Sequence, residues 1–504
     1  MDEGLRNVAE LLRRTAALRG DDVAFVDAPT GTSTTWAQLD SVVDHLAAGL
    51  RRHGLVEGDR VALLLGNRIE FVATYFAVLR AGLVAVPIST AYTQYEVADL
   101  LERSGTRLVV ADESSEAVAR AAAPGEVVVV GDPSYDALVR LGTRADAQAE
   151  LVPERATDPE ATAVLLFTSG SSGPSKGAML SHRALLANVA QLQSLEVPAL
   201  TGDDVVLLVL PMFHVYALNA VLAVAVAEGA RCVLVPRFSA DDALAAIATY
   251  GVTNVPAAPP VFVAWAARPD LGEALAGVRT LVSGAAPLAP AVFAEFAARA
   301  GQPLWEGYGL TEAAPVVSST MVGRRAKPGC VGSPLPGVEV RLIDEVGEDV
   351  DPEDPGEIVV RGANLFSGYW PDGVDGPDAD GWYATGDVAF RDDDGDLHIV
   401  DRRRDLVLVN GFNVYPYEVE TVIASHPAVA EVAVVGVPDE RTGEAVVAHV
   451  VPIAGSGLTA GDVLEVCRRR LARFKCPSTV EIVASLPHTA TGKIAKARLR
   501  EGRA

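Results

Sequence analysis

Short apolar runs alternate with longer segments of helical periodicity along the first four hundred residues. Each run holds four to six residues, mostly Val, Leu and Ala, as is typical of strands buried on both faces of a parallel sheet. Residues 70–81, between the first two runs, predict a helix. The alternation indicates an α/β fold built from β-α-β units. The clearest runs span residues 60–65, 83–87, 108–111, 126–130, 163–167, 231–235 and 280–283.

The pattern changes beyond about Gly332, where predicted strands become shorter and are separated by Gly, Pro and Asp turns. Such spacing is typical of antiparallel pairing. We therefore expect a β-rich subdomain at the end of the large domain. Its predicted strands span residues 338–343, 356–361 and 396–400.

An arginine-rich run at residues 401–405 precedes a compact mixture of helix and strand patterns. About one hundred residues of this kind predict a small α+β domain. We expect the large domain to cover residues 1–402 and the small one 403–504. The predicted elements of the small domain are helices at 416–425 and 459–471 and strands at 429–437, 444–452 and 479–483.

Composition and charge exclude several classes of protein. Of the 504 residues, 49% are hydrophobic and 21% are charged, as in globular proteins. The net charge of −24 argues against nucleic-acid partners, because polyphosphate backbones are repelled at long range. A nucleotide site needs only local positive charge, so ATP binding stays open.

The four cysteines, Cys232, Cys330, Cys467 and Cys476, have no metal-ligand or CxxC spacing. They predict neither zinc nor a disulfide framework and fit a reducing compartment. The start of the chain lacks a basic region followed by an apolar core, so we expect no signal peptide and a cytoplasmic location.

Residues 205–227 contain no Asp, Glu, Lys or Arg, and the stretch is long enough to cross a bilayer. Pro211, His214 and Asn219 interrupt it, and Gly and charged residues bound it. The pattern therefore favours a buried core segment over a membrane span.

The segment from Thr168 to Gly177 combines Gly, Ser and Thr with Lys176, directly after a buried strand. Small residues let backbone N–H groups approach phosphate oxygens, and hydroxyl groups add donors. The Gly-Lys-Ser/Thr ending of a Walker loop is absent. A helix is predicted to follow, with Ser181 as its N-cap. Phosphate binding is the better interpretation; a flexible Gly/Ser surface loop is the alternative.

This segment resembles the signature loop of the acyl-adenylate-forming superfamily, which includes acyl-CoA synthetases, adenylation domains of peptide synthetases and firefly-type luciferases. Further segments resemble the other motifs of that superfamily, in the same order. The likeness extends from about residue 22 to residue 500 and is greatest for the branch of fatty-acid and 4-coumarate–CoA ligases. The further segments are 211–216, 283–288, 307–312, 383–387, 401–405, 410–416 and 489–494.

The resemblance implies a nucleotide site and a set of catalytic residues. Tyr308 would stack on adenine, Thr311 would bind the α-phosphate, and Asp387 would accept hydrogen bonds from ribose. Glu312 and Thr168 would hold Mg²⁺, a hard cation that prefers oxygen ligands. The implied catalytic residues are Lys493, Thr168, Glu312 and His214. The implied ATP and AMP ligands are Thr168, Ser169, Gly170, Ser171, Ser172, Gly173, Lys176, Gly284, Ala285, Ala286, Pro287, Tyr308, Gly309, Thr311, Asp387 and Arg402.

The resemblance also implies an acyl pocket, a CoA-contacting loop and a hinge. The hinge position is Arg404, where Lys or Asp is commoner in the superfamily. The CoA loop would contain Gly411, Phe412 and Asn413. The pocket would be lined by His214, Val215, Tyr216, Asn219, Gly284, Gly309 and Pro315, with Ala257, Ala258 and Val316 nearby. No second positive charge for a diacid is evident among them, which favours a medium- or long-chain fatty acid or a bulky aryl or terpenoid acid.

The activity implied is that of an AMP-forming acyl-CoA synthetase using ATP, Mg²⁺ and CoA. An enzyme that loads a carrier-protein thiol has the same motifs and is the main alternative. An adenylate-only ligase, a luciferase-like oxygenase and a degenerate acyl-adenylate sensor are further alternatives, separated by CoA dependence and ATP turnover. The sequence is compatible with a homodimer and predicts neither its presence nor its absence.

Overall fold

The computed structural model describes residues 4–123, 125–143, 157–168, 175–351, 354–402, 405–409, 412–439, 441–488 and 494–501. In chain order its strands are β1 (Val23–Asp27), β2 (Ser33–Thr35), β3 (Arg60–Leu64), β4 (Val84–Pro87), β5 (Leu108–Ala111), β6 (Glu126–Val129), β7 (Thr162–Thr168), β8 (Lys176–Ser181), β9 (Val205–Leu208), β10 (Arg231–Leu234), β11 (Asn254–Ala257), β12 (Thr280–Ser283), β13 (Leu304–Gly309), β14 (Val316–Ser319), β15 (Ser333–Pro334), β16 (Val338–Ile343), β17 (Gly356–Gly362), β18 (Trp382–Arg391), β19 (Leu397–Arg402), β20 (Val407–Val409), β21 (Phe412–Val414), β22 (Val429–Asp439), β23 (Gly443–Pro452) and β24 (Thr479–Ile482).

Several helices begin where side chains can satisfy free backbone N–H groups. Thr35 and Thr93, for example, form capping boxes with Gln38 and Glu96. The helices are α1 (Ala9–Arg19), α2 (Trp36–Arg52), α3 (Ile69–Arg80), α4 (Gln94–Ser104), α5 (Glu116–Ala122), α6 (Pro133–Gly142), α7 (His182–Gln193), α8 (Val224–Glu228), α9 (Ala240–Tyr250), α10 (Pro259–Ala266), α11 (Leu271–Ala274), α12 (Pro290–Ala300), α13 (Thr320–Gly323), α14 (Pro416–Ala424), α15 (Ala460–Arg470) and α16 (Lys496–Glu501). A π-helix, Tyr216–Ala223, precedes α8, and a 3-10 turn, Thr311–Ala313, follows β13.

Two large sheets form the N-terminal domain. One has the strand order β6-β5-β3-β4-β7-β8, and the other has the order β15-β14-β13-β12-β11-β9-β10-β1-β2. The inner strands of both sheets are parallel, and among the described strands of these sheets only β8, β2, β14 and β15 run antiparallel to their neighbours. The predicted α/β architecture is therefore confirmed.

Helices lie on both faces of these sheets, so the strands are buried on both sides as their apolar composition requires. Residues of α1, α2, α3, α7 and α8 share one continuous core with strands of both large sheets. The far face of the nine-stranded sheet is covered by α9, α10 and α12. The far face of the six-stranded sheet is covered by α4 and α5. This layering brings the carboxyl ends of β7, β12 and β13 to the region that carries the predicted motifs.

The β-rich subdomain beyond Gly332 is antiparallel, as predicted. A four-stranded sheet has the order β16-β17-β18-β19, and β18 is a long strand that the sequence pattern did not indicate. The small C-terminal domain contains the order β21-β20-β23-β22, with β24 parallel to β23. It has its own core, formed with α14 and α15.

The charge-free stretch at 205–227 is a buried part of the fold. It forms β9, the π-helix and most of α8, and its apolar side chains belong to the two cores of the nine-stranded sheet. Among the described residues, no helix has the length and apolar character needed to cross a membrane.

Candidate active site

The predicted phosphate loop connects the two strands of a hairpin. Thr168, at the end of β7, pairs with Lys176, at the start of β8, and its hydroxyl donates to the carbonyl oxygen of Lys176 at 3.3 Å. Residues 169–174, which include five predicted phosphate ligands, lie outside the described residues. Helix α7 follows β8, and the Ser181 hydroxyl caps it by accepting from the N–H of Ala184. The predicted cap is confirmed, but the sequence analysis missed strand β8 between the loop and the helix.

Lys176 is oriented by residues of a distant loop. Its ammonium group lies 2.7 Å from Oδ2 of Asp375 and 4.9 Å from the centroid of the Tyr369 ring. Both side chains of the ion pair are more than half exposed, at 54% for Lys176 and 63% for Asp375. The lysine is therefore accessible to an incoming anion.

Glu312 lies in the 3-10 turn after β13, and only 8% of it is exposed. Its Oε1 accepts a hydrogen bond of 2.6 Å from the hydroxyl of Tyr369. Within the described part of the chain, no Lys, Arg or His lies at ion-pair distance from this carboxylate. A buried carboxylate without a cationic partner fits a divalent cation with oxygen ligands, so the site is chemically suited to Mg²⁺.

Tyr369 belongs to an aromatic cluster beside Glu312. The ring of Phe366 packs edge-on against the rings of Tyr369 and Tyr383, with centroids 5.0 Å apart in both pairs. The two tyrosine hydroxyls are 3.3 Å apart. Burial, followed by the negative charge of Glu312, raises the pKa of Tyr369 and of Tyr383, so both phenols stay protonated at neutral pH.

The predicted adenine-stacking and ribose-binding residues, Tyr308 and Asp387, meet where the last residues of β13 approach the middle of β18. The Tyr308 hydroxyl donates to Oδ2 of Asp387 at 2.6 Å. Asp387 is buried, and its backbone pairs with that of Arg402 across β18 and β19. The side chain of Arg402 lies outside the described part of the structure.

The predicted adenine loop follows β12 directly. Ala285 has a left-handed φ of +72°, a conformation that side chains rarely adopt. Glu306, on the neighbouring strand β13, is 5% exposed and pairs with Ser283, the residue before this loop. Burial raises its pKa to about 8, while the nearby N–H groups of Leu288 and Gly329 partly oppose that rise. Gly284, Ala286 and Pro287 complete the loop.

Several predicted pocket residues are in contact. A Cβ atom on Gly284 would lie 2.9 Å from Cε1 of Tyr216, so the glycine lets the loop rest on that ring. A Cβ atom on Gly309 would lie 2.3 Å from the carbonyl oxygen of Pro315. The tight β13–β14 hairpin therefore requires glycine at this position. The buried Tyr216 hydroxyl has no hydrogen-bond partner among the described residues.

His214 and Asn219 occupy different depths of this region. Nδ1 of His214 accepts from the N–H of Tyr216 at 3.2 Å, which fixes the ring at the start of the π-helix. The amide of Asn219 is fully buried and donates to the carbonyl oxygens of Leu185 and Ala314, at 3.1 and 2.7 Å. Asn219 thereby supports the turn that carries Glu312. Val215 is buried in the central core.

Other predicted residues cannot be placed fully. Lys493, Arg404 and Gly411 lie outside the described residues. Phe412 and Asn413 are described by backbone only, in strand β21.

Sequence reasoning missed Tyr369, Asp375 and Glu306. Tyr369 and Asp375 lie in the Gly- and Asp-rich segment 368–376, which has the composition of an ordinary turn. Glu306 immediately precedes the 307–312 motif, and a buried carboxylate cannot be distinguished there from an exposed one by residue type. The available signal for Glu306 was its position next to that motif in the sequence.

Comparison with known proteins agrees with this architecture. Residues 12–370 match the family described as AMP-binding enzyme, and residues 418–493 match its C-terminal domain. The chain is 35% identical to 4-coumarate–CoA ligase 5 of Oryza sativa subsp. japonica, over 96% of this chain and 92% of that protein. It is 33% identical to the long-chain-fatty-acid–CoA ligase of Escherichia coli O157:H7, over 98% of this chain and 94% of that protein.

A solved structure has the same fold throughout. ATP-bound MatB from Rhodopseudomonas palustris superimposes with a TM-score of 0.89 at 33% identity, covering 98% of this chain and 99% of that chain. The chain therefore belongs to the AMP-binding enzyme family, within the acyl-adenylate-forming superfamily that its motifs resemble, and is an AMP-forming acid–thiol ligase.

Proposed function

We propose that the protein is an ATP- and Mg²⁺-dependent acyl-CoA synthetase. In the first half-reaction a carboxylate oxygen attacks the α-phosphorus of ATP, and pyrophosphate leaves with formation of acyl-AMP. In the second, the sulfur of CoA attacks the acyl carbonyl carbon, and AMP leaves with formation of acyl-CoA. The observation that carries this proposal is a pair of contacts made by Tyr369 beside the phosphate hairpin. Its ring contacts the ammonium group of Lys176, and its hydroxyl donates a hydrogen bond to Glu312.

Charge compensation is the main task in the first half-reaction, because one anion approaches another. Lys176 would contact the phosphates, and Thr311 would donate to the α-phosphate. Glu312, with Thr168, would hold Mg²⁺, which when bound neutralises phosphate charge and orients the leaving group. Lys493 would bind the carboxylate and α-phosphate oxygens; one such preorganised donor is usually worth about 3–4 kcal/mol.

The nucleoside would lie between the loop at 284–287 and strand β18. Tyr308 would stack on adenine, and Asp387 and Arg402 would bind the ribose. The hydrogen bond between Tyr308 and Asp387 supports this arrangement, because it fixes a stacking ring and a ribose acceptor relative to each other.

The second half-reaction requires a path for the thiol. We place the domain boundary after Arg402, since the four-stranded sheet ends there and the next sheet begins at Val407. Rotation about Arg404 would withdraw Lys493 and bring the loop of Gly411, Phe412 and Asn413 to the acyl-adenylate. This assigns the two half-reactions to two positions of the small domain.

The acid is proposed to be an apolar monocarboxylic acid, either a medium- or long-chain fatty acid or a bulky aryl or terpenoid acid. The packing of Gly284 on the Tyr216 ring supports an apolar, narrow wall. His214 would lie near the carboxylate end. The names of the two similar enzymes, a 4-coumarate–CoA ligase and a long-chain-fatty-acid–CoA ligase, include both acid classes.

Product analysis tests the function. The protein would be incubated with ATP, Mg²⁺ and acids ranging from acetate to long-chain fatty and polycyclic aryl acids, with and without CoA. Mass spectrometry should detect acyl-CoA and AMP only in the complete mixture. Accumulation of acyl-AMP whether or not CoA is present would instead indicate a carrier-protein thiol as acceptor. Absence of ATP turnover with every acid would contradict the proposal.

A further inference from the structure

We infer that Tyr369 is a positioning residue: it fixes the metal-binding carboxylate of Glu312 and the phosphate-binding ammonium group of Lys176 relative to each other. This inference rests on the proposed function, which assigns Mg²⁺ to Glu312 and phosphate to Lys176. Tyr369 itself touches neither ligand in this assignment. It acts through the two side chains that do.

The hydroxyl group of Tyr369 determines which oxygen of Glu312 is free. A phenol has one proton, and the 2.6 Å hydrogen bond commits it to Oε1 of Glu312. The neighbouring Tyr383 hydroxyl, at 3.3 Å, is then the donor to the oxygen of Tyr369. Among the described residues, no group donates a hydrogen bond to Oε2 of Glu312. The arrangement fixes the carboxylate and leaves one oxygen for a cation.

The ring of Tyr369 performs a separate task. The ammonium group of Lys176 lies 4.9 Å from the ring centroid, within the range of a cation–π interaction. Lys176 begins β8, while Glu312 follows β13 in the other large sheet. Tyr369 is thus the side chain through which the phosphate hairpin and the carboxylate turn are joined.

The backbone around Tyr369 is itself anchored to the hairpin. Tyr369 forms a bridge with Ala178 of β8, and the N–H of Trp370 donates to the carbonyl oxygen of Gly177 at 2.8 Å. The Trp370 indole donates to the carbonyl oxygen of Arg103 at 3.0 Å. Because the backbone of Tyr369 is anchored in this way, its side chain can keep Lys176 and Glu312 in fixed orientations.

Loss of the hydroxyl and loss of the ring should weaken ATP binding in different ways. Tyr369→Phe removes the hydrogen bond to Glu312 and keeps the ring beneath Lys176. Loss of a group that orients a metal ligand typically weakens metal binding by about 10- to 100-fold. The Mg²⁺-dependent gain in ATP affinity should therefore fall by about tenfold. The ATP affinity without metal should stay within about twofold of the wild-type value. Tyr369→Leu should additionally weaken ATP binding without metal by about two- to fivefold.

Calorimetric titration of the full-length protein with ATP tests this, once in excess Mg²⁺ and once in EDTA, without acid or CoA. Tyr250→Phe is the matched control, since it removes a hydroxyl that donates to the carbonyl oxygen of Ala28 at 2.9 Å and has no part in the site. The inference is supported if Tyr369→Phe loses the Mg²⁺-dependent gain and the control retains it.

Two outcomes would overturn the inference. If Tyr369→Phe binds ATP like wild type in both buffers, its hydroxyl does not position Glu312. If its affinity falls equally in Mg²⁺ and EDTA, the role is structural only. Failure of the wild-type protein to bind ATP would be a different result, because it would reject the proposed function as well. Tyr369→Phe changes one atom, so it keeps the test decisive even if Tyr369→Leu does not fold.

Discussion

The hydroxyl of Tyr308 donates a 2.6 Å hydrogen bond to the carboxylate of Asp387, although 79 residues separate them. Tyr308 is the penultimate residue of β13 in the nine-stranded sheet, and Asp387 lies in β18 of the antiparallel subdomain. The bond therefore connects the predicted adenine-stacking ring to the predicted ribose acceptor across two sheets. It orients Asp387 toward the space beside the ring.

Replacing Asp387 by Asn should weaken ATP binding without abolishing the chemistry. Hydrogen bonds to a charged group contribute about 1.5–3 kcal/mol, which corresponds to about 10- to 150-fold in the KM for ATP. Tyr308→Phe keeps the ring and should raise KM by less. ATP–pyrophosphate exchange measures both, and 2′,3′-dideoxy-ATP provides the control. Asp387→Asn should discriminate less between ATP and this analogue than wild type does; equal discrimination would refute the ribose contact.

The ion pair of Lys176 with Asp375 predicts a gain of affinity. Phosphate must replace the Asp375 carboxylate as the partner of Lys176, so removing that carboxylate should favour ATP. Exposed pairs contribute about 0–1 kcal/mol, so Asp375→Asn should lower the Kd for ATP by at most about fivefold. Asn tolerates the left-handed φ of +53° at this position, and backbone strain is not introduced.

The matched control for Asp375→Asn is Glu339→Gln. It breaks an exposed ion pair with Arg361 on the antiparallel sheet, at 2.7 Å, away from the hairpin. Calorimetry at low and high salt should show the gain for Asp375→Asn at low salt and a smaller gain at high salt. Weaker ATP binding by Asp375→Asn would show that the aspartate supports the nucleotide site instead of competing for Lys176.

Lys493→Ala should separate the half-reactions. Loss of one preorganised charge at the reacting phosphate should slow adenylate formation by about a hundredfold to a thousandfold. Thioester formation from supplied acyl-AMP and CoA should change little, because the α-phosphate chemistry is already complete. Lys475→Ala is the control in the same domain, since it removes a lysine that pairs with Glu418 at 2.7 Å. Equal loss in both half-reactions would remove Lys493 from its proposed role.

The sequence was sufficient for several of the buried parallel strands and insufficient for the contacts between strands. The runs at 108–111 and 280–283 coincide with β5 and β12, because fully buried parallel strands need uninterrupted apolar residues. Strand β8 was missed because it begins within the Gly- and Ser-rich segment and pairs antiparallel to β7. Residue type and motif spacing carry no information on such pairing.

Tyr369 shows the same limit within the site. Its partner Glu312 is 57 residues away, and its importance arises from a hydrogen bond that only the packed sheets create. The register shift between β18 and β19 is another case, since Val400 of β19 is an extra residue between the partners of Val388 and Ala389. Motif resemblance identified the groups that would contact ligands, and it did not identify the groups that orient them.

The raised pKa of the buried Glu306 predicts a pH dependence of the stability of the large domain. Burial raises its pKa from an ordinary value of 4.5 to about 8, so between these values the folded protein retains a proton that the unfolded chain releases. The free energy of unfolding should therefore fall as pH rises from about 5 to 8, by up to about 1.4 kcal/mol per pH unit from this group. Glu306→Gln has no such proton, so its stability relative to wild type should increase over that range. Urea denaturation of both proteins at pH 5, 6.5 and 8 measures the difference; a constant difference would show that Glu306 titrates alike in the folded and unfolded chains.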